Sequence, residues 1–293
     1  MAHGEPGMRG SGVPLAALAM ICSTISLPAN ADPLQPLTNW DVDYGNTQCT
    51  AARSFGNTSN PITFGIVPAF SGQTYELIIS VKHTGPVYAQ EMKGYVDFGH
   101  GQIKTWLAYF GAKGIVMSIY QFRISASEME QARMASTVAL ESERGDNFKF
   151  SLAEMSPLLD ALHKCTVDLQ QYWGWDEKAV AAAIAKPAQS SSSSRAKPPK
   201  GDIRSIFSAD DYPSEAAWRS QGGTAQYQLL IDEKGSVAGC DVLVQSGIPA
   251  LDIMGCQVIK ERAKFAPAVD SQGKPARSVF VSPAITWRMY DGQ

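Results

Sequence analysis

Ser190 to Ser194 is an unbroken run of five serines, followed at once by Arg195-Ala-Lys-Pro-Pro-Lys200. Such a stretch has no large apolar side chains to bury, and its prolines stiffen it into an extended connector. With the Ala-rich residues from Ala179 onward it reads as a linker over 178–200. Folding is then expected on either side of it, in a first domain over 32–177 and a second over 201–293. A length of 293 residues is enough for two cores. Hydrophobic residues make up 44% and charged residues 18%, with a net charge of -3. That balance suits folded domains and leaves no electrostatic footprint for nucleic acid.

Arg9 precedes a weakly polar stretch from Val13 to Leu27, and Ala29-Asn30-Ala31 follows. The stretch is shorter than the roughly 20 residues a membrane-spanning helix needs. Small residues at 29 and 31 suit signal peptidase, so 1–31 is expected to be a signal peptide and Asp32 the first residue of an exported chain. The competing reading is an uncleaved N-terminal anchor. Cys22 follows the bulky Ile21, which fits a lipoprotein box poorly.

Removal of 1–31 leaves Cys49, Cys165, Cys240 and Cys256. An even count in an oxidising compartment implies two disulfides. Two cysteines lie on each side of the linker, so one bridge within each domain is the simplest pairing: Cys49 with Cys165, and Cys240 with Cys256. A zinc site would need ligands at short spacing, and the chain has neither a CxxC nor a close His pair.

The first domain reads as β-rich α+β. Tyr75–Lys82 and Gly94–Phe98 are strand-like, and Lys104–Phe110 with Ile115–Phe122 form a hairpin about Gly111-Ala-Lys-Gly114. Ser125-Ala-Ser-Glu128 is a capping box, and Pro157 opens a helix that places Leu158, Leu162, Cys165 and Leu169 on one face. In the second domain Ala225, Tyr227, Leu229 and Ile231 alternate with polar residues, as in a half-buried strand. Asp232-Glu-Lys-Gly235 turns the chain into a partner strand with Ala238, Cys240, Val242 and Val244 on its apolar face. Pro249 opens a helix with Leu251, Met254, Gly255, Val258 and Arg262 in one stripe. Val279, Val281, Ile285, Trp287 and Met289 alternate as a third strand, which Pro283 confines to a sheet edge.

The series Tyr212-Pro213, Gly222-Gly223, Ile231-Asp232, Gly235-Ser-Val237, Cys240-Asp-Val242, Gln245-Ser-Gly247, Arg262-Ala-Lys-Phe265, Pro267-Ala268 and Ile285-Thr-Trp287 resembles the C-terminal domain of energy transducers of the TonB family, over residues 201–290. The resemblance implies an α+β module of three antiparallel strands packed with helices, located in the periplasm. It also implies binding of an extended segment of an outer-membrane receptor by strand addition, in support of TonB-dependent transmembrane transport. Tyr212, Pro213, Val279, Val281, Ile285 and Trp287 are the partner-binding residues expected on this basis, and the edge strand would equally serve a homodimer. Two features depart from the family pattern. The signal segment reads as cleavable where transducers keep an anchor, and Asp210-Asp211 precedes Tyr212-Pro213 in place of a Gln-containing stretch.

Nothing in the sequence marks catalysis. His83, His100 and His163 form no set with a carboxylate and a nucleophile, and no Walker A, GxSxG or HExxH pattern occurs. No enzyme activity, cofactor or metal is expected. Asp97-Phe-Gly-His-Gly101 reads as a turn, and the tryptophans as core or edge packing. An alternative function is a periplasmic receptor for a small ligand or glycan, bound by the first domain, which exposed aromatic side chains there would favour.

Overall fold

The computed structural model describes residue 1 and residues 32–83, 90–111, 117–186 and 195–289. The signal segment with Ala29-Asn30-Ala31 and Cys22, the tip of the Gly111–Gly114 hairpin and the serine run lie outside the described residues. The fold is α+β, with a large curled sheet and a smaller sheet packed against a helix.

The large sheet is built from β1 (Asp41–Tyr44), β2 (Cys49–Asn57), β3 (Asn60–Pro68), β4 (Thr74–Lys82), β5 (Gln90–Asp97), β6 (Gln102–Gly111), β7 (Met117–Ser125), β8 (Thr137–Ser142) and β9 (Asn147–Ser151). Its order is β1-β2-β3-β4-β7-β6-β5-β8-β9. Alternation puts Phe55, Phe64, Ile66, Leu77, Phe122, Leu140 and Phe150 on the inner face, all essentially inaccessible. The two ends of the sheet are tied by the segment just before β1. Leu34 N donates to Lys149 O and Ser151 N to Leu34 O, while Leu37 N donates to Ser54 O and Gly56 N to Gln35 O. β6 and β7 pair as the expected hairpin, and the Ser125–Glu128 capping box starts α1 (Ala126–Met129).

α2 (Met155–Trp173) carries Pro157 in its first turn and buries Leu158, Leu162, Cys165 and Leu169, as its spacing predicts. Cys165 is bonded to Cys49 of β2, so the helix is pinned across the sheet. The Ala-rich residues read as linker differ: Glu177–Ala185 form α3, capped by Asp176, whose carboxylate accepts from Ala179 N. Alanine has the highest helix propensity, and Val180 and Ala183 find a surface to bury. The Pro-rich end is also held, because Lys197 and Lys200 bridge Val269 and Ala266.

The smaller sheet follows α4 (Ser214–Trp218) and comprises β10 (Gly223–Ile231), β11 (Val237–Val244), β14 (Ser278–Val281) and β15 (Ile285–Trp287). Here α5 (Pro249–Arg262) lies between β11 and a small β12 (Ala268–Val269) and β13 (Pro275–Ala276) ribbon. β10 is central, with β11 on one side and both β14 and β15 on the other. Pro283 thus splits the third strand in two. One face of β10, Ala225, Tyr227, Leu229 and Ile231, packs with Leu251 and Ile259 of α5. Bulges in the β10–β11 pairing move Ala238 off the face that Val237, Cys240 and Val242 share. The opposite face of the small sheet is also covered: Leu230 and Val279 join the core of the large sheet, and Val281 packs with Val180 and Ala183 of α3.

α5 fits tightly. A Cβ on Gly255 would lie 1.9 Å from the Tyr227 hydroxyl oxygen, so only glycine admits this approach of helix to sheet. Cys256 on the next position is bonded to Cys240 of β11. Among the described residues no helix is long and apolar enough to cross a membrane.

Candidate functional site

β15 pairs with β10 through Trp287 against Gly223, Thr286 against Thr224, and Ile285 against Ala225. Its main-chain directions follow from a neighbouring bond. Ser282 N donates to Tyr227 O at 2.8 Å, so Tyr227 turns its main-chain groups toward this side of β10. Strand residues alternate with a period of two, so Ala225 and Gly223 turn the same way and bond Ile285 and Trp287. Thr224 and Thr286 form the non-hydrogen-bonded pair between them, with hydroxyls 3.0 Å apart. The amide and carbonyl of Thr286 therefore point away from β10, at a residue exposed to solvent. Arg288, just past the end of β15, is also exposed. An open depression of about 520 Å³ beside them is bordered by Ser220, Gly222, Thr224, Arg288 and Met289.

The apolar residues expected to contact a partner are placed differently. Val279 and Val281 are 0% exposed, Ile285 7% and Trp287 6%, so their side chains belong to the core. Alternation that reads as a contact face is equally the signature of strands buried on both faces. Ser278 and Phe280 are buried too, which seals β14 along its length. The open edge is therefore shorter than the Val279–Met289 span: within β15 it is Thr286, and the exposed Arg288 and Met289 follow the strand.

Tyr212 and Pro213 are half-buried, and Tyr212 packs on Trp287. The Trp287 ring stands edge-on to Tyr212 and Phe207, with centroids 5.6 and 5.4 Å apart, and the Tyr212 hydroxyl donates to Gln221 O. The segment is anchored by Asp211, whose carboxylate takes both arms of the Arg262 guanidinium at 2.7 Å and also accepts from Ser208 N and Oγ. Arg262 holds the Asp211 carboxyl down at about 2. The acidic departure from the family pattern is thus a clamp on α5. Sequence spacing does not disclose it, since the two residues lie 51 apart.

The other edge of the small sheet is treated differently. Val242 N, which by the same alternation points away from β10, donates to Asp241 Oδ1 at 2.9 Å, and Phe70 N of the β3–β4 turn donates to Asp241 Oδ2 at 3.0 Å. One carboxylate caps the β11 edge and ties it to the large sheet. Two tryptophans expected to pack are instead exposed, Trp106 by 53% and Trp218 by 86%.

Residues 208–289 match the family model described as Gram-negative bacterial TonB protein C-terminal. No match was found among curated proteins or among solved structures. The family is non-enzymatic, transport-associated and of the cell envelope. The stretch that carries the Thr286 edge, the Asp211–Arg262 clamp and the Cys240–Cys256 bridge is a TonB C-terminal domain.

Proposed function

We propose that this protein works in the periplasm, where its C-terminal module binds an extended segment of another envelope protein by strand addition along Thr286–Met289 and so assists TonB-dependent transmembrane transport. The observation that carries the reading is the outward-facing amide and carbonyl of exposed Thr286, a hydrogen-bonding edge with no strand paired to it on that side among the described residues. Asp241 caps Val242 on the opposite edge of the small sheet, which favours the β15 side for an added strand. Two disulfides suit an exported chain whose signal is removed.

Specificity resides in the main chain and in the shallow depression beside Arg288, since the apolar side chains of β14 and β15 face inward. A short added strand that orders a flexible partner gives an affinity on the order of micromolar. A photo-reactive residue at Thr286 in the native cell tests this. An adduct to an outer-membrane receptor or another envelope protein is expected, and an adduct of twice the chain's own mass identifies the homodimer instead. Adducts from an exposed control position at Ile253 with none from Thr286 contradict the proposal.

A further inference from the structure

A second feature lies between the outer face of the large sheet and the β11–α5 side of the module. A cavity of about 260 Å³ there is lined by Glu76, Arg123, Gln228, Asp241 and Asp252. A neighbouring cavity of about 110 Å³ shares Gln121, Arg123 and Asp252 with it and adds Trp106. Trp106 and Arg123 also line an open groove alongside Val244. Arg123 thus stands at the junction of all three spaces.

The polar groups around this cleft are incompletely matched by one another. Arg123 donates to Glu76 at 2.6 Å through Nη2, one of five N–H donors of a guanidinium. Gln228 is fully buried, and neither its amide nitrogen nor its carbonyl oxygen has a partner among the described residues. A buried amide without partners costs about 1–3 kcal/mol unless something else bonds it. Asp252 is 4% exposed and accepts from Ser246 N through Oδ1. Burial raises its carboxyl above the ordinary carboxylate range.

We infer that this cleft is a binding site for a neutral saccharide, with the ring stacked on Trp106 and hydroxyls reaching Arg123 and Asp252. A vicinal diol accepts from a guanidinium and donates to a carboxylate at once, which is what the mixed donors and acceptors require. The indole supplies an apolar platform with a solvent-facing side, 53% exposed. Glu76, Asp241 and Asp252 outnumber Arg123 and Lys260 around the larger space, so an anionic ligand is disfavoured and phosphate or a sugar acid fits less well. At about 30 Å³ per water the larger space holds roughly nine waters, or one sugar ring with fewer of them. Residues of both sheets line the site, so the first domain alone does not make it.

The test uses the whole chain from Asp32 with glucose, galactose, N-acetylglucosamine and their β-1,4-linked disaccharides, followed by saturation-transfer NMR and calorimetry. At least one of these sugars is expected to bind, and glucuronate to bind at least tenfold more weakly than glucose. Trp106→Ala, a change at an exposed position, should weaken binding at least tenfold with an unchanged melting temperature. Absence of binding by every sugar at 10 mM, which leaves a water-filled cleft only, overturns the inference. So does a Trp106→Ala protein that binds as the parent does.

Discussion

The Asp211 carboxylate and the Arg262 guanidinium are joined by two parallel hydrogen bonds of 2.7 Å, and this pair fixes the Tyr212-Pro213 segment to the C-terminal end of α5. Because the folded-state value of Asp211 lies near 2, below its ordinary 3.8, the charged pair contributes stability above about pH 4. That contribution is lost as pH falls through 2. Melting temperature followed from pH 7 to pH 2 should show this acid step in the parent and not in Arg262→Gln, which should melt lower at pH 7. Parallel curves for the two proteins contradict the assignment.

The two disulfides close loops of very different length, with separations of 116 and 16 residues. Chain-entropy arguments assign about 5 kcal/mol to the Cys49–Cys165 bridge and about 3 kcal/mol to Cys240–Cys256. Denaturant unfolding of the double alanine variant of each pair should follow that order. A larger loss from the short-loop pair would show that strain or residual structure outweighs loop closure.

Gly255→Ala brings a methyl group into the space of the Tyr227 hydroxyl. Overpacking costs about 1–3 kcal/mol, which exceeds the gain of roughly 1 kcal/mol from replacing a helical glycine. Tyr227→Phe in the same chain should recover part of the loss, since it removes the nearest clashing atom, along with a long 3.3 Å bond to Leu251 O, and leaves the ring carbon Cζ at 2.4 Å. Strict additivity of the two changes in urea unfolding contradicts the packing account.

The closing segment at Leu34–Leu37 supplies acceptors for Ser151 and Gly56 amides. It begins two residues after the expected signal cleavage site, so a chain starting at Asp32 keeps it. Chains starting at Leu37 should lose hydrogen-exchange protection at Ser151 and Gly56 by at least tenfold, while amides of β10 keep theirs. Unchanged exchange at both positions would mean the sheet ends hold without the tie.

Much of this architecture is legible in local pattern. The period-two run from Ala225 to Ile231 identifies β10, and Pro157 with its apolar stripe identifies α2, because burial on one face imposes that spacing. The same reasoning pairs the cysteines. It fails where a pattern has two causes: Val279, Val281, Ile285 and Trp287 alternate because they are buried, and nothing local distinguishes that from a contact face. It fails also for contacts made across long separations. Neither Asp211 with Arg262 nor Asp241 with Phe70 leaves any trace in spacing, and the helix Glu177–Ala185 depends on a surface supplied by Val281. Trp106 reads as core or edge packing in the sequence, whereas its exposure is set by the fold around it.

The most direct test of strand addition is titration of the chain from Asp32 with peptides from its cross-linked envelope partners, following backbone amides by NMR. The largest shifts are predicted at Thr286, Arg288 and Met289. Thr286→Pro, which removes the outward amide, should abolish binding, and Thr286→Val should leave it within about twofold, under 0.5 kcal/mol. If shifts concentrate on α5 between Leu251 and Arg262, or if Thr286→Pro binds as the parent does, the partner is held by some other surface and strand addition at β15 is wrong.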